Sequence, residues 1–151
     1  MNQDQAPLPE VLPTHECWAM MRTATLGRLG FGVDEEQEIF PLNFVVDQGT
    51  IVFRTSSSSR IGLCLDGRPV AFEADGLTDG QAWSVVAKGH AKEIRTLEDS
   101  VLAAELPVQP LQAGSKPRLV RITPDALTGR RFPVAEAQEP VLGSSPHSEP
   151  E

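Results

Sequence analysis

Basic residues are scarce in this 151-residue chain: 13 lysines and arginines stand against 21 acidic residues, for a net charge of −8. That balance argues against a protein that grips nucleic-acid backbones through a broad cationic surface. Cysteine is nearly absent. Cys17 and Cys64 are far apart, with no CxxC spacing and no accompanying histidine pair, so neither a disulfide framework nor a zinc centre is expected. No apolar run approaches the roughly 18 residues of a membrane span, and the opening MNQDQAPLPE lacks a basic segment followed by an apolar stretch. The expectation is a soluble cytoplasmic protein that binds neither membrane nor nucleic acid. No GxGxxG or GxxxxGKS/T loop occurs, so neither a dinucleotide fold nor an NTPase is indicated. No internal repeat is visible.

What is present is enough for one domain. Apolar residues make up 40% and charged residues 23%, a mixture that supports a packed core. Three segments are expected: a flexible arm at 1–13, a folded body at 14–134, and a disordered Pro/Ser/Glu tail at 135–151. The four glutamates of that tail carry half of the net charge. The body is therefore only mildly acidic, and a few focused arginines could hold a compact anion on it.

Periodicity predicts a mainly β body. A short helix is expected from an N-cap at Thr14 to Arg22, with Trp18 and Met21 on one face. Strands are expected at Thr25–Val33 and at Glu38–Val46, where Leu42, Phe44 and Val46 alternate with Pro41, Asn43 and Val45. Asp47-Gln48-Gly49 reads as a hairpin turn into Ile51–Thr55. Val70–Ala74 and Trp83–Arg95 follow, separated by a loop at Asp75–Gly80. A capped helix at Thr96–Glu105, a strand at Arg118–Ile122 and an extended piece at Leu127–Phe132 complete the series. About six strands with short peripheral helices and short turns predict a small antiparallel split β-barrel.

The most informative segment runs from Val52 to Leu63. A strand delivers Arg54 and Thr55 into Ser56-Ser57-Ser58-Ser59, where Ser58 or Ser59 caps a short helix that contains Ile61, Leu63, Cys64 and Leu65 and is ended by Asp66-Gly67. Hydroxyls, backbone N–H groups and two guanidiniums thus converge within a few residues, as an anion cradle requires. A solvated serine-rich loop with surface arginines is the plainer reading of the same residues.

Read together, four blocks carry a resemblance: ECWAMMRTATLGRLGF, IFPLNFVVDQGTIVFRTSSSSRIGL, VAFEADGLTDGQAWSVVAKGHAKEI and LVRITPDALTGRRF. In order and spacing they resemble the pyridoxamine 5′-phosphate oxidase-like, flavin-binding split-barrel proteins over about Thr14 to Phe132. The resemblance implies that Arg54, Thr55, Ser56, Ser59 and Arg60 hold the phosphate of flavin mononucleotide (FMN). It implies that Pro41, Leu42, Asn43 and Phe44 border the flavin ring, with the Asn43 amide facing the barrel interior. Trp83 and Ser84 resemble the pair that closes the pocket, usually across a homodimer interface; core packing is the alternative for Trp83. No side chain is expected to act as a nucleophile, and no catalytic residue or metal ligand is assigned.

The function implied is an FMN-dependent oxidoreductase acting on a small molecule. A non-catalytic carrier or sensor of flavin, deazaflavin or haem is the alternative. Haem would need an axial ligand from His15 or His90, and a deazaflavin would need further basic contacts such as Arg130, Arg131 or Lys88. True pyridoxamine phosphate oxidation is not expected. Those oxidases place Lys after the Ser-Arg pair, where this chain has Ile61, and carry a basic, histidine-bearing segment near the C-terminus that this chain lacks. Glu73 and Asp75 read as solvated strand-end charges rather than an acid–base pair. One of Arg130 and Arg131 is a candidate to face a ligand, with a surface salt bridge as the alternative.

Overall fold

Three two-residue turns set the architecture. Asp34-Glu35, Gln48-Gly49 and Asp79-Gly80 each hold both residues at positive φ, the backbone twist that closes a tight antiparallel hairpin. The computed structural model describes residues 8–56, 58–95, 106–108 and 118–134. Along the chain these form β1 (Glu10–Val11), α1 (Thr14–Thr23), β2 (Leu26–Val33), β3 (Glu36–Asn43), β4 (Val45–Asp47) and β5 (Thr50–Thr55). A 3₁₀ helix (Arg60–Asp66), β6 (Pro69–Thr78), β7 (Gln81–Glu93) and β8 (Arg118–Pro133) follow. The turns join β2 to β3, β4 to β5 and β6 to β7.

All strands among the described residues belong to one antiparallel sheet in the order β3-β2-β6-β7-β8-β5-β4, with β1 added beside β8. It curls into a split barrel. β8 is the seam: it pairs with β7 from Val120 to Pro133, with β5 from Arg118 to Ile122, and with β1 at Arg130 and Arg131. The concave face is filled by Leu29, Ile51, Phe53, Phe72, Val85, Val120 and Ile122, all without solvent exposure. Each such side chain contributes roughly 1.5 to 3 kcal/mol by burial. Phe44 meets Phe72 edge-on at 4.9 Å, and α1 seals one end with Cys17 and Met21. A smaller cluster of Val52, Val108 and Leu119 lies on the opposite face of β5 and β8. No helix among the described residues is long and apolar enough to cross a membrane.

The mainly β, antiparallel expectation holds, with differences in detail. The sheet has eight strands rather than six. Asp75–Gly80 is not a loop: β6 continues to Thr78, and Gly76 remains in the strand because the Trp83 indole packs where its side chain would be. Arg118–Ile122 and Leu127–Phe132 are parts of one 16-residue strand, continued past Pro124 by a register shift at Lys88/Gly89. Pro13, not Thr14, caps α1, its extended backbone accepting from the N–H groups of Glu16 and Cys17. The expected helix at Thr96–Glu105 and the tail at 135–151 lie outside the described residues.

Candidate cofactor site

β5 alternates strictly. Ile51 and Phe53 face the main core, whereas Val52 packs in the smaller cluster on the other side; Thr55 therefore follows Phe53 inward and Arg54 follows Val52 outward. Thr55, 4% exposed, is the one buried polar residue among those described. The Arg54 guanidinium donates from Nε to the Val108 carbonyl at 3.2 Å. The strand thus sends these two expected phosphate ligands to opposite faces.

Beyond the strand the backbone turns back on itself. Ser59 N–H donates to the Ser56 carbonyl at 3.2 Å, and Ile61 N–H donates to Ser59 Oγ at 3.1 Å, which caps the 3₁₀ helix as the sequence suggested. Ile61 and Cys64 anchor that helix in the core, and Gly67 ends it at φ 98°. Arg60 points outward and pairs with Glu38 on β3, Nη2 to Oε2 at 2.8 Å. A third guanidinium joins from the far end of the chain. Arg118 is the register partner of Thr55, and a Cβ on Gly62 would stand 2.6 Å from its Nη1. A side chain at position 62 would push the tip of Arg118 away from its place against this helix. Sequence reading passed over Arg118, because nothing but the β5–β8 register places it here.

The donor set of this turn suits a phosphate by its chemistry: serine and threonine hydroxyls between Arg60 and Arg118. Both arginines have carboxylate partners, Glu38 for Arg60 and Glu93, 3.4 Å from Nε, for Arg118. The Arg60 side chain is 59% exposed, and exposed pairs of this kind are worth only about 0 to 1 kcal/mol. A dianion can displace such a partner.

The backbone of Glu38, whose side chain shares the inner face with its register partner Phe31, borders a groove of about 460 Å³ on the outer, convex face. Its floor is Gly30, Gly32 and Ala71, and Ile39 and Lys88 stand at its sides. A floor with almost no side chains admits a flat ring. On the same face β3 presents Pro41 opposite Arg28 and Asn43 opposite Leu26. Asn43 therefore does not face the barrel interior as expected: Leu42 and Phe44 occupy it, at 4% and 2% exposure, and alternation puts the amide outside. Trp83 and Ser84 divide likewise. The indole is 3% exposed in the core cluster, while Ser84 sits outside, opposite Asp75 and Arg130.

Arg28 holds both strand-end carboxylates, its Nη2 lying 2.6 Å from Glu73 and 2.7 Å from Asp75. They are ion-paired, not free. Burial, followed by the adjacent Asp75 carboxyl, still raises the Glu73 pKa above the ordinary value. Burial also pushes the Cys64 thiol up to about 11, which leaves it protonated and poorly nucleophilic at neutral pH. His90 lies half-exposed beside Asp125, Nδ1 to Oδ2 at 3.2 Å.

The comparisons with known proteins bear on the fold and the family. A family model described as pyridoxamine 5′-phosphate oxidase matches residues 13–131. A crystal structure of a candidate pyridoxamine 5′-phosphate oxidase from Corynebacterium glutamicum is 34% identical; the match covers 84% of this chain and 100% of that one, with a TM-score of 0.76. The FAD binding protein of Mycobacterium smegmatis is also 34% identical, over 85% of this chain and 100% of its own, with a TM-score of 0.74. An uncharacterized protein of Mycobacterium tuberculosis is 32% identical over 88 residues, 58% of this chain and 80% of that protein. With its split barrel and the family match over most of its length, the chain belongs to the pyridoxamine 5′-phosphate oxidase family.

Proposed function

We propose that the chain binds a flavin, FMN in the first instance, and that a homodimer uses it to oxidise or reduce a small molecule. The observation that carries this reading is the hydroxyl turn between Arg60 and Arg118, a donor set suited to a phosphate. A groove whose floor is glycine and alanine lies across the sheet from the Glu38 side chain. A flavin supplies the electron or hydride chemistry, and the protein supplies binding and orientation. Thr55, Ser56, Ser59, Arg60 and Arg118 take the phosphate, with Arg54 contributing if it leaves the Val108 carbonyl. Ile39, Pro41 and Asn43 border the ring from the outer face, backed by Leu42 in the core.

A second copy is part of the reading. Ser84 and Arg130 are register partners at one end of β8, and Thr55 and Arg118 at the other. Along the strand the separation is on the order of 40 Å, so one flavin touches both ends only if a partner supplies one of them. Leu26, Ile39, Leu77 and Phe132 stand exposed at 41%, 69%, 72% and 37%, and alternation puts Leu26, Leu77 and Phe132 on the same convex face as the groove.

FAD is the second reading, favoured by the 34% identical FAD binding protein. The test is an absorbance spectrum of the purified protein, release and mass analysis of any bound flavin, and titration of the flavin-free chain with FMN, FAD and riboflavin. FMN bound far more tightly than riboflavin supports the phosphate anchor. A colourless protein that binds none of the three overturns the reading. To separate enzyme from carrier, the reduced flavoprotein is mixed with small acceptors; reoxidation no faster than by oxygen across a broad panel identifies a carrier.

A further inference from the structure

Arg130 and Arg131 are adjacent and opposite in role. Arg131 is tied down, with Nη2 3.1 Å from Glu10 and 3.8 Å from Glu16, and it clips the N-terminal arm to β8. Alternation along β8 sends Arg130 to the convex face. There, among the described residues, no side-chain hydrogen bond or ion pair engages it. Apart from Arg22, every other described arginine has such a partner.

Arg130 instead lines a groove of about 660 Å³. Ser84 is its register partner on β7, Thr128 lies two residues back on its own strand, and Val11 is its partner on the arm. Val86 and the arm residues Leu8 and Pro9 complete the lining with apolar surface. The floor is two paired strands, which position side chains better than loops do.

We propose that this groove binds a small organic acid, with the carboxylate on Arg130 between the Ser84 and Thr128 hydroxyls and the apolar body along Val86 and the arm. One unpaired guanidinium matches one carboxylate in the two-point geometry that Arg favours. A phosphate dianion would exceed the single charge available. The nearest acidic side chains on this face, Glu73 and Asp75, are held by Arg28 two strands away, roughly 10 Å. The site rests on the flavin reading for its place, because Ser84 and Arg130 mark the end of β8 that the proposed dimer brings to the flavin; benzoate binding to the flavin-free chain tests it separately from flavin binding.

The probe is benzoate, titrated into the full flavin-free chain and followed by backbone amide NMR. Saturable shifts are expected at Ser84, Val86, Thr128 and Arg130, with benzyl alcohol, which lacks the charge, binding at least about tenfold more weakly. Arg130→Met is expected to weaken benzoate roughly tenfold to a hundredfold and to leave benzyl alcohol unchanged. Arg130 is exposed, so an unchanged melting temperature confirms an intact fold. Benzoate bound equally by Arg130→Met, or shifts confined to other residues, overturns the site. Phenyl phosphate bound more tightly than benzoate overturns the choice of ligand.

Discussion

Arg60 reaches from the 3₁₀ helix to Glu38 on β3 and grips it at two points, Nη2 to Oε2 at 2.8 Å and Nε to Oε1 at 3.4 Å. The contact holds the Glu38 carboxyl below its usual range, the hydrogen bond from Arg60 being the main cause. The protein's own carboxylate thus occupies the arginine that a phosphate would use, and binding becomes an exchange of one anion for another.

That exchange sets the first expectation. Glu38→Gln frees Arg60 and tightens FMN several-fold, while Arg60→Ala and Arg118→Ala each weaken FMN by about 1.5 to 3 kcal/mol, the range for a charged hydrogen bond. Arg54→Ala has a smaller effect, because its guanidinium lies on the other face with Val108. Fluorescence titration checks all four variants. Riboflavin, which lacks the phosphate, serves as the control and is expected to respond to none of them.

Acid stability gives the second. The folded-state pKa of Glu73 is raised above the ordinary 4.5, so the native protein keeps a proton that the unfolded chain has released. Stability from this group falls as pH rises from the ordinary value through the raised one. Asp66 acts in the opposite sense. Arg68 lowers its pKa to about 2, so its contribution is present above 3.8 and is lost as pH falls toward about 2. Urea midpoints of wild type and Glu73→Gln, measured from about pH 4 to 7, are expected to converge at the acidic end and separate above it, with the variant more stable. Parallel curves would contradict the raised pKa.

The turns supply the third. Glu35 sits at φ 68° and Gly80 at φ 75°, a region that costs an L-residue about 1 kcal/mol or more and glycine nothing. Glu35→Gly is expected to stabilise by about 0.5 kcal/mol after the entropy lost by glycine. Gly80→Ala has open space around its new methyl group and is expected to cost about 1 kcal/mol by backbone conformation alone. Denaturant midpoints decide both.

The fourth concerns assembly. Ile39 is 69% exposed beside the glycine-floored groove, so Ile39→Asp is expected to turn a dimer into monomers in sedimentation at micromolar concentration and to weaken flavin binding with it. A wild-type chain that sediments as a monomer removes the second copy from the proposed site.

Much of the fold was legible where one physical signal dominated. Period-two alternation marked Glu38–Val46, which the structure divides at Phe44 into β3 and β4; Gln48-Gly49 marked the hairpin into β5, and Gly67, with Ser58 or Ser59, marked the ends of the 3₁₀ helix. The β6–β7 hairpin was obscured because Asp75, Gly76 and Asp79 have loop composition; the strand persists there through the indole packed over Gly76 and the turn at Asp79-Gly80. The site was legible as chemistry but not as geometry. A stretch of hydroxyls and arginines is visible in one dimension, whereas the separation of Arg54 from Thr55 and the arrival of Arg118 depend on strand facing and on a partner more than sixty positions away.

β8 is the last of the described strands in sequence, yet β5 and β7 are hydrogen-bonded into one sheet only through it. Until β8 has been made, the nascent chain can pair β2, β3, β6 and β7 in one patch and β4 and β5 in another, with open edges on β7 and β5 where β8 will dock. Synthesis must therefore pass Pro133 before the barrel can close, and a product truncated ahead of Arg118 exposes two sticky edges to its neighbours.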